Sequence, residues 1–189
     1  MVILYHKTMI SLRSKITQKL LNYFFMNPHE RRYLNELARL LEVDPKNLDR
    51  KLKELEKHGL FDSDWSGKQR YYFLNEKFPL LNEYKQMVKK TIGFEHMLRE
   101  AMKDVLGVEE VYIYGSYASD NMDAYSDIDI LIVGDCELEK TGSAIWDLQK
   151  IIQREINPAR ITPDELAKKR KEKDFFYTTI FSSPIVKVI

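Results

Sequence analysis

The strongest constraint on the fold is a short signature in the second half of the chain. Residues 108–114 read VEEVYIY and predict a β-strand that leads directly into Gly115 and Ser116. Eleven residues after Ser116 comes an Asp-Ile-Asp run, followed by the apolar segment ILIV. Because side chains alternate along a strand, Asp127 and Asp129 share one face, with their Cα atoms about 7 Å apart. This order predicts a small sheet that carries two carboxylates near a Gly-Ser turn.

The residue types in this signature point to metal-assisted phosphate chemistry. Two carboxylates at this separation can bind one Mg²⁺ or bridge two metal ions about 3.5–4 Å apart. Gly115 lets a phosphate approach the backbone, and Ser116 offers a hydroxyl and an N–H at the start of a helix. The alternative is a polar turn before a half-exposed strand. We favour a site in which Asp127 and Asp129 are catalytic and metal-binding and in which Gly115 and Ser116 bind a nucleotide.

This signature resembles the minimal nucleotidyltransferases of the DNA-polymerase-beta-like superfamily, relatives of kanamycin nucleotidyltransferase. The similarity covers about residues 95–189 and retains the Gly-Ser-x-Ala start at residues 115–118. The family often continues with Arg-Gly, where this chain has Ser119 and Asp120. The resemblance implies transfer of a nucleoside monophosphate from a nucleoside triphosphate to a hydroxyl. It also implies Mg²⁺ or Mn²⁺ held by the two aspartates and by a third carboxylate on a later strand.

The third carboxylate of that pattern is replaced. The next predicted strand reads INPARI, and Asn157 stands where many minimal nucleotidyltransferases have an aspartate. An amide carbonyl is a weak metal ligand and cannot act as a carboxylate base. Glu155 or Asp164 could substitute, and Pro158 disfavours a central position for this strand. Binding of metal and nucleotide is therefore better supported than transfer.

The first 75 residues predict a different module. Apolar spacing indicates helices at 13–26 and 33–43, and Asp44-Pro45 starts a third helix at 45–58 that Gly59 ends. Two β-like runs then form a hairpin at 61–74. Three helices and a hairpin resemble the archaeal winged helix-turn-helix domains of ArsR-like and MarR-like type.

Charge supports a polyanion partner for this module. Residues 1–75 carry 14 basic and 9 acidic residues, a net charge of +5, whereas residues 76–189 carry 16 and 20, a net charge of −4. We predict duplex DNA as the partner, because basic and amide side chains can contact phosphates and base edges. The predicted contacts are Lys46, Asn47, Arg50, Lys51, Lys68 and Arg70. The alternative is an ordinary solvent-facing surface, since Asp49, Glu54 and Glu56 lie on the same helix.

These elements predict an α+β chain of two domains: a winged helix-turn-helix domain at 1–75, a helical connector at 76–94 and a nucleotidyltransferase-type domain at 95–189 with a small mixed sheet. The connector has no Ser/Gly-rich linker, which favours a rigid join. Its apolar stripes indicate either a homodimer surface or packing against its own domain.

Composition bears on membrane association and on the cellular compartment. The chain has no apolar run of 18 residues, so we expect no membrane association. The single cysteine, Cys136, excludes an internal disulfide framework and is typical of a reducing cytoplasm.

Three functions fit these features. The first is a DNA-binding transcriptional regulator whose second domain binds a Mg²⁺–nucleoside triphosphate, and the whole arrangement resembles an archaeal family described as regulators. The second is an active nucleotidyltransferase that modifies a hydroxyl on a protein or RNA. The third is a non-catalytic partner of the toxin–antitoxin kind.

Overall fold

The computed structural model describes residues 10–123 and 125–189, which divide into two compact units. The first unit extends to Thr91, and the second is Ile92–Ile189. The first nine residues of the predicted domain 1–75 lie outside the described part of the chain.

The first unit contains four helices and a three-stranded antiparallel sheet within its described residues. Its elements are α1 (Lys15–Met26), β1 (Arg32–Tyr33), α2 (Leu34–Leu40), α3 (Pro45–Lys57), β2 (Phe61–Ser66), β3 (Gln69–Leu74) and α4 (Leu81–Thr91). The strand order is β1-β3-β2. The three expected helices and the hairpin are therefore present, and β1 is an addition that the sequence did not indicate.

Local signals explain where α3 begins and ends. The Asp44 side chain accepts a hydrogen bond from the Asn47 amide at 2.9 Å, and Pro45 occupies the first helical turn. Gly59 follows the helix with φ of +85°, a conformation that costs glycine little. Phe24 of α1 and Phe61 of β2 are fully buried, with ring centroids 4.8 Å apart, and they anchor the core of this unit.

The helix α4 belongs to the first unit. The Tyr84 hydroxyl accepts a hydrogen bond from the Ile10 amide at 2.8 Å, and its ring contacts Phe78. The chain leaves helical structure after Thr91, close to the interruption that Gly93 predicts. The segment predicted as a connector is thus divided between the units.

The second unit is built on a four-stranded mixed sheet with the order β6-β5-β4-β7. Its elements are α5 (Phe94–Met102), β4 (Glu110–Tyr114), α6 (Gly115–Ala118), β5 (Ile128–Val133), α7 (Leu138–Ile152), β6 (Ile156–Ile161), α8 (Pro163–Lys171), α9 (Phe175–Ser182) and β7 (Val186–Lys187). β5 and β6 are parallel, whereas β4 is antiparallel to β5 and β7.

Both faces of β5 are buried, and the strand has one polar residue, Asp129. Ile130 and Ile132 are fully buried on one face. On the other face, Leu131 packs in a cluster with Leu166 of α8 and Ile180 of α9. Because side chains alternate, Asp129 lies on the face that α8 and α9 cover.

The described residues contain no helix that is both long and apolar enough to cross a membrane.

Candidate functional site

Gly115, the first residue after β4, lies against a carboxylate. Its φ is +72°, and a Cβ atom built on it would lie 2.5 Å from Asp129 Oδ2. A side chain here would therefore be strained twice, by the backbone conformation and by the contact. Glycine at this position lets the Asp129 carboxylate approach the turn between β4 and α6.

Two half-buried carboxylates meet at the start of β5. Asp127 directly precedes the strand and Asp129 is its second residue, opposite Tyr114 of β4. Burial and then the negative charge of Asp127 raise the pKa of the Asp129 carboxyl above its ordinary value. A cation bound at this position would offset both the burial of the Asp129 carboxylate and its repulsion by Asp127.

The neutral Asn157 lies beside this pair. It is the register partner of Asp129 in the parallel ladder of β5 and β6. Its Nδ2 donates a hydrogen bond to Asp127 Oδ2, and a hydrogen bond to Asp129 partly offsets the rise in that carboxyl's pKa. The amide therefore presents its donor group to the carboxylates. Ligation of a metal through the carbonyl oxygen would require the side-chain amide of Asn157 to flip.

The two substitutes considered for the third carboxylate are not positioned for that role. Asp164 lies in the first turn of α8, beyond the carboxyl end of β6, whereas Asn157 lies near its start. The intervening strand alone spans about 13 Å at 3.3 Å per residue, which separates Asp164 from the position of Asn157. The exposed Glu155 lines an open surface cavity with Trp146 and Lys150 of α7. Within residues 10–123 and 125–189, no three acidic, histidine or cysteine side chains cluster as a metal site.

The Gly-Ser turn differs from the expected helix start. α6 is a single turn of four residues, too short to supply a substantial helix dipole. The Ser119 hydroxyl donates to Gly115 O at 2.9 Å, and the Asn121 amide donates to Ser116 O at 2.9 Å, which together hold the turn closed. Any phosphate contact here depends on the backbone at Gly115 and on the Ser116 hydroxyl.

Sequence reasoning missed two neighbours of the carboxylate pair. Arg154 is only 8% exposed, and its Nη1 donates to Ser126 O at 2.5 Å, so it holds the backbone directly before Asp127. Burial, followed by the charge of Asp129, raises the pKa of Tyr114 to about 12. In the sequence, Arg154 is one charge among many after α7, and only the fold reveals its burial.

The structure divides the predicted DNA contacts into two sets. Exposed side chains without a described ion pair are Lys46, Asn47 and Arg50 on α3 and Lys68 in the hairpin turn. In contrast, Lys51 Nζ lies 2.6 Å from Glu54 Oε2, and Arg70 binds both Glu56 oxygens at 2.7 and 2.8 Å. Lys51 and Arg70 are thus already paired within their own unit.

Comparison with protein families decides the class of the second unit. Residues 96–181 match the family model of the nucleotidyltransferase domain. This span includes Gly115, both aspartates and Asn157. The second unit therefore contains a nucleotidyltransferase-type domain, which confirms the predicted class of domain for this part of the chain.

Solved structures give weaker likenesses. Reduced HlyU from Vibrio cholerae N16961 is 22% identical, with 38% of this chain and 70% of that chain covered and a TM-score of 0.30. A toxin–antitoxin structure with AMP-PNP is 13% identical, with 47% and 85% covered and a TM-score of 0.34. A Sulfolobus solfataricus protein described as a candidate nucleotidyltransferase is 23% identical, with 39% and 68% covered and a TM-score of 0.27. These TM-scores are too low to establish a shared overall fold. No curated protein sequence matches the chain.

Proposed function

We propose that the nucleotidyltransferase-type domain binds a nucleoside triphosphate through Mg²⁺ or Mn²⁺ held by Asp127 and Asp129. We further propose that the first unit is a winged helix-turn-helix domain that binds duplex DNA, so that the chain is a transcriptional regulator. The observation that carries the proposal is the pair of half-buried carboxylates at the start of β5, one of which, Asp129, packs against Gly115.

The donor set suits a hard divalent cation. Mg²⁺ prefers oxygen ligands, and a protein usually supplies one or two carboxylates while the phosphates and water complete the shell. Burial and, second, the charge of Asp127 raise the pKa of the Asp129 carboxyl, and a bound cation would stabilise its ionised form against both. A bound Mg²⁺ would neutralise and orient the triphosphate.

An active nucleotidyltransferase is the second candidate. The family match and the retained aspartate pair favour it, and its acceptor would be a protein or RNA hydroxyl. Asn157 weighs against turnover, because it offers the pair an N–H donor in place of a third anionic ligand. We therefore expect slow or absent transfer in the wild type.

The proposed DNA interface rests on exposed positive charge. Lys46, Asn47 and Arg50 lie on the first two turns of α3, and Lys68 lies at the turn between β2 and β3. Side chains at the start of a helix can reach base edges while neighbouring cations neutralise phosphates.

The decisive test is calorimetric titration of the full chain with each nucleoside triphosphate, with Mg²⁺ and then with EDTA. We expect binding only with the cation and a loss of most of it in Asp127→Asn, since an anionic oxygen ligand is removed. The matched control is Asp147→Asn, which makes the same change on an exposed position of α7. Equal affinity with EDTA, or unchanged affinity in Asp127→Asn, would contradict the proposed site.

A further inference from the structure

A cavity of about 370 Å³ opens directly beside the carboxylate pair. One wall is the end of β4, namely Tyr114 and Gly115, and the facing wall comes from α9 and the residues after it. The volume lies within the usual range of small-molecule sites. No local pattern in the sequence indicates this cavity, because its two walls are 60 residues apart in the chain.

The cavity adjoins the proposed triphosphate site through Gly115 and Tyr114. Gly115 is the residue against which the Asp129 carboxylate packs, and Tyr114 is the register partner of Asp129. A ligand whose phosphates lie at the carboxylates therefore has this cavity as its neighbouring space.

The lining suits a flat, uncharged group. Phe176 is 45% exposed and Phe175 is 85% exposed, although both are large apolar side chains. The Phe176 ring meets Tyr114 edge to face, with centroids 6.2 Å apart, which holds Phe176 against the rim of the site. None of the described residues that line the cavity carries a charge.

Two of the four hydroxyl groups in the described lining are already used as donors. The Ser119 hydroxyl donates to Gly115 O at 2.9 Å, and the Thr179 hydroxyl donates to Phe175 O at 2.8 Å. These oxygens retain only acceptor capacity. An anionic occupant would find no cation and, among the described lining side chains, only the Tyr114 and Ser183 hydroxyls as uncommitted donors. An aromatic ring with N–H groups would find stacking surface and acceptors.

We propose that this cavity is a nucleobase subsite, in which the base of a bound purine nucleoside triphosphate stacks on Phe176. This inference rests on the proposed function, because the triphosphate must first occupy the Asp127 and Asp129 site. Stacking on an aromatic side chain accepts any base, and preference among bases then follows stacking strength. The larger purine face favours ATP and GTP over CTP and UTP.

The test measures affinities of the full chain, with Mg²⁺ present, for ATP, CTP and inorganic tripolyphosphate, which has no base. Phe176→Leu keeps an apolar side chain but removes the aromatic face, whereas Phe176→Trp keeps an aromatic face. We expect Phe176→Leu to weaken ATP binding about five- to tenfold and to leave tripolyphosphate unchanged. Phe176→Trp should retain ATP affinity. The control is Trp146→Leu, an exposed aromatic on α7 that does not line this cavity, and it should have no effect.

The outcomes distinguish failure of the base subsite from failure of the triphosphate site on which it depends. If the wild type binds ATP and tripolyphosphate equally well and Phe176→Leu changes neither, the subsite is wrong while the triphosphate site stands. If the wild type binds neither, the proposed function fails and the subsite fails with it.

Photolabelling gives a second measurement that needs no variant. After irradiation with 8-azido-ATP and Mg²⁺, we expect the labelled peptide to contain α9, in competition with unlabelled ATP. Competable labelling confined to another element would overturn the subsite.

Discussion

At the scale of single residues, Gly115 determines how closely the Asp129 carboxylate approaches the backbone. Its positive φ and its contact with Asp129 Oδ2 are separate reasons for the absence of a side chain. Because the same residue faces the cavity beside α9, a change here acts on the Asp129 carboxylate and on the neighbouring space together.

We predict that Gly115→Ala destabilises the protein by about 1–2 kcal/mol, the usual cost of a left-handed conformation for a residue with a Cβ atom. It should also weaken Mg²⁺-dependent nucleotide binding, since Asp129 must move. Chemical denaturation and calorimetric titration measure the two effects.

The matched control is Gly142→Ala within α7, where a Cβ atom would meet nothing within 4 Å. In a helix interior this change should stabilise by about 0.5–1 kcal/mol and leave binding intact. Equal behaviour of the two variants would contradict the role assigned to Gly115.

The neutral side chain of Asn157 keeps the number of carboxylates in the site at two. In the metal-free protein its amide compensates two anions, and an aspartate would add a third. We predict that Asn157→Asp lowers stability in EDTA by about 1–2 kcal/mol, because a hydrogen bond to a carboxylate is removed. Mg²⁺ should then raise the melting temperature more than it does in the wild type, because the cation has three carboxylates to neutralise.

The same variant tests transfer. Released pyrophosphate, measured with candidate protein and RNA acceptors, should increase in Asn157→Asp if only the third ligand limits turnover. Strong wild-type transfer that does not depend on residue 157 would show that the third ligand lies elsewhere.

At the scale of elements, the sequence predicts those helices and strands whose ends are marked by capping or turn residues. Asp44, Pro45 and Gly59 delimit α3, and alternation at Asp127 and Asp129 placed both aspartates on one face before the fold was known. β1 has only two residues and exists through its pairing with β3, so no local pattern indicates it.

The rest of the site depends on tertiary register. Asn157 meets the aspartates only because β6 pairs in parallel with β5, and Arg154 becomes a buried support only when its side chain reaches Ser126. The cavity likewise requires α9 to lie against the end of β4, which no spacing in the sequence encodes.

We expect the basic residues of α3 and of the hairpin between β2 and β3 to fall into two groups, those that contact DNA and those that stabilise the fold. We predict that the double variant Arg50→Ala, Lys68→Ala weakens duplex DNA binding. The magnitude of its salt slope should fall by about one for each phosphate that the variant no longer neutralises. Lys77→Ala removes one exposed positive charge outside α3 and the hairpin, and it should change the slope little.

Arg70→Ala is the informative contrast, because Arg70 is held by Glu56 and Ser63. We expect it to lower the stability of the hairpin more than it lowers DNA affinity. Fluorescence anisotropy across a salt series would show the difference, and an unchanged slope in the Arg50 and Lys68 double variant would reject this interface.

At the scale of the whole molecule, a regulator that responds to a nucleotide requires coupling between its two ligands. Thermodynamic linkage makes any such coupling reciprocal. We predict that saturating Mg²⁺–nucleotide changes DNA affinity by a factor that equals the change DNA produces in nucleotide affinity. A factor of one in both directions would leave two independent binding modules and remove the regulatory proposal.

The order of the four-stranded sheet has a consequence for the protein in concentrated solution. β6 lies at one edge and carries Pro158, which has no N–H, while β7 at the other edge is only two residues long. A neighbouring chain can extend a sheet only along a continuous row of unpaired backbone groups, and prolines and short strands interrupt that row. Both open borders of this domain therefore resist edge-to-edge aggregation.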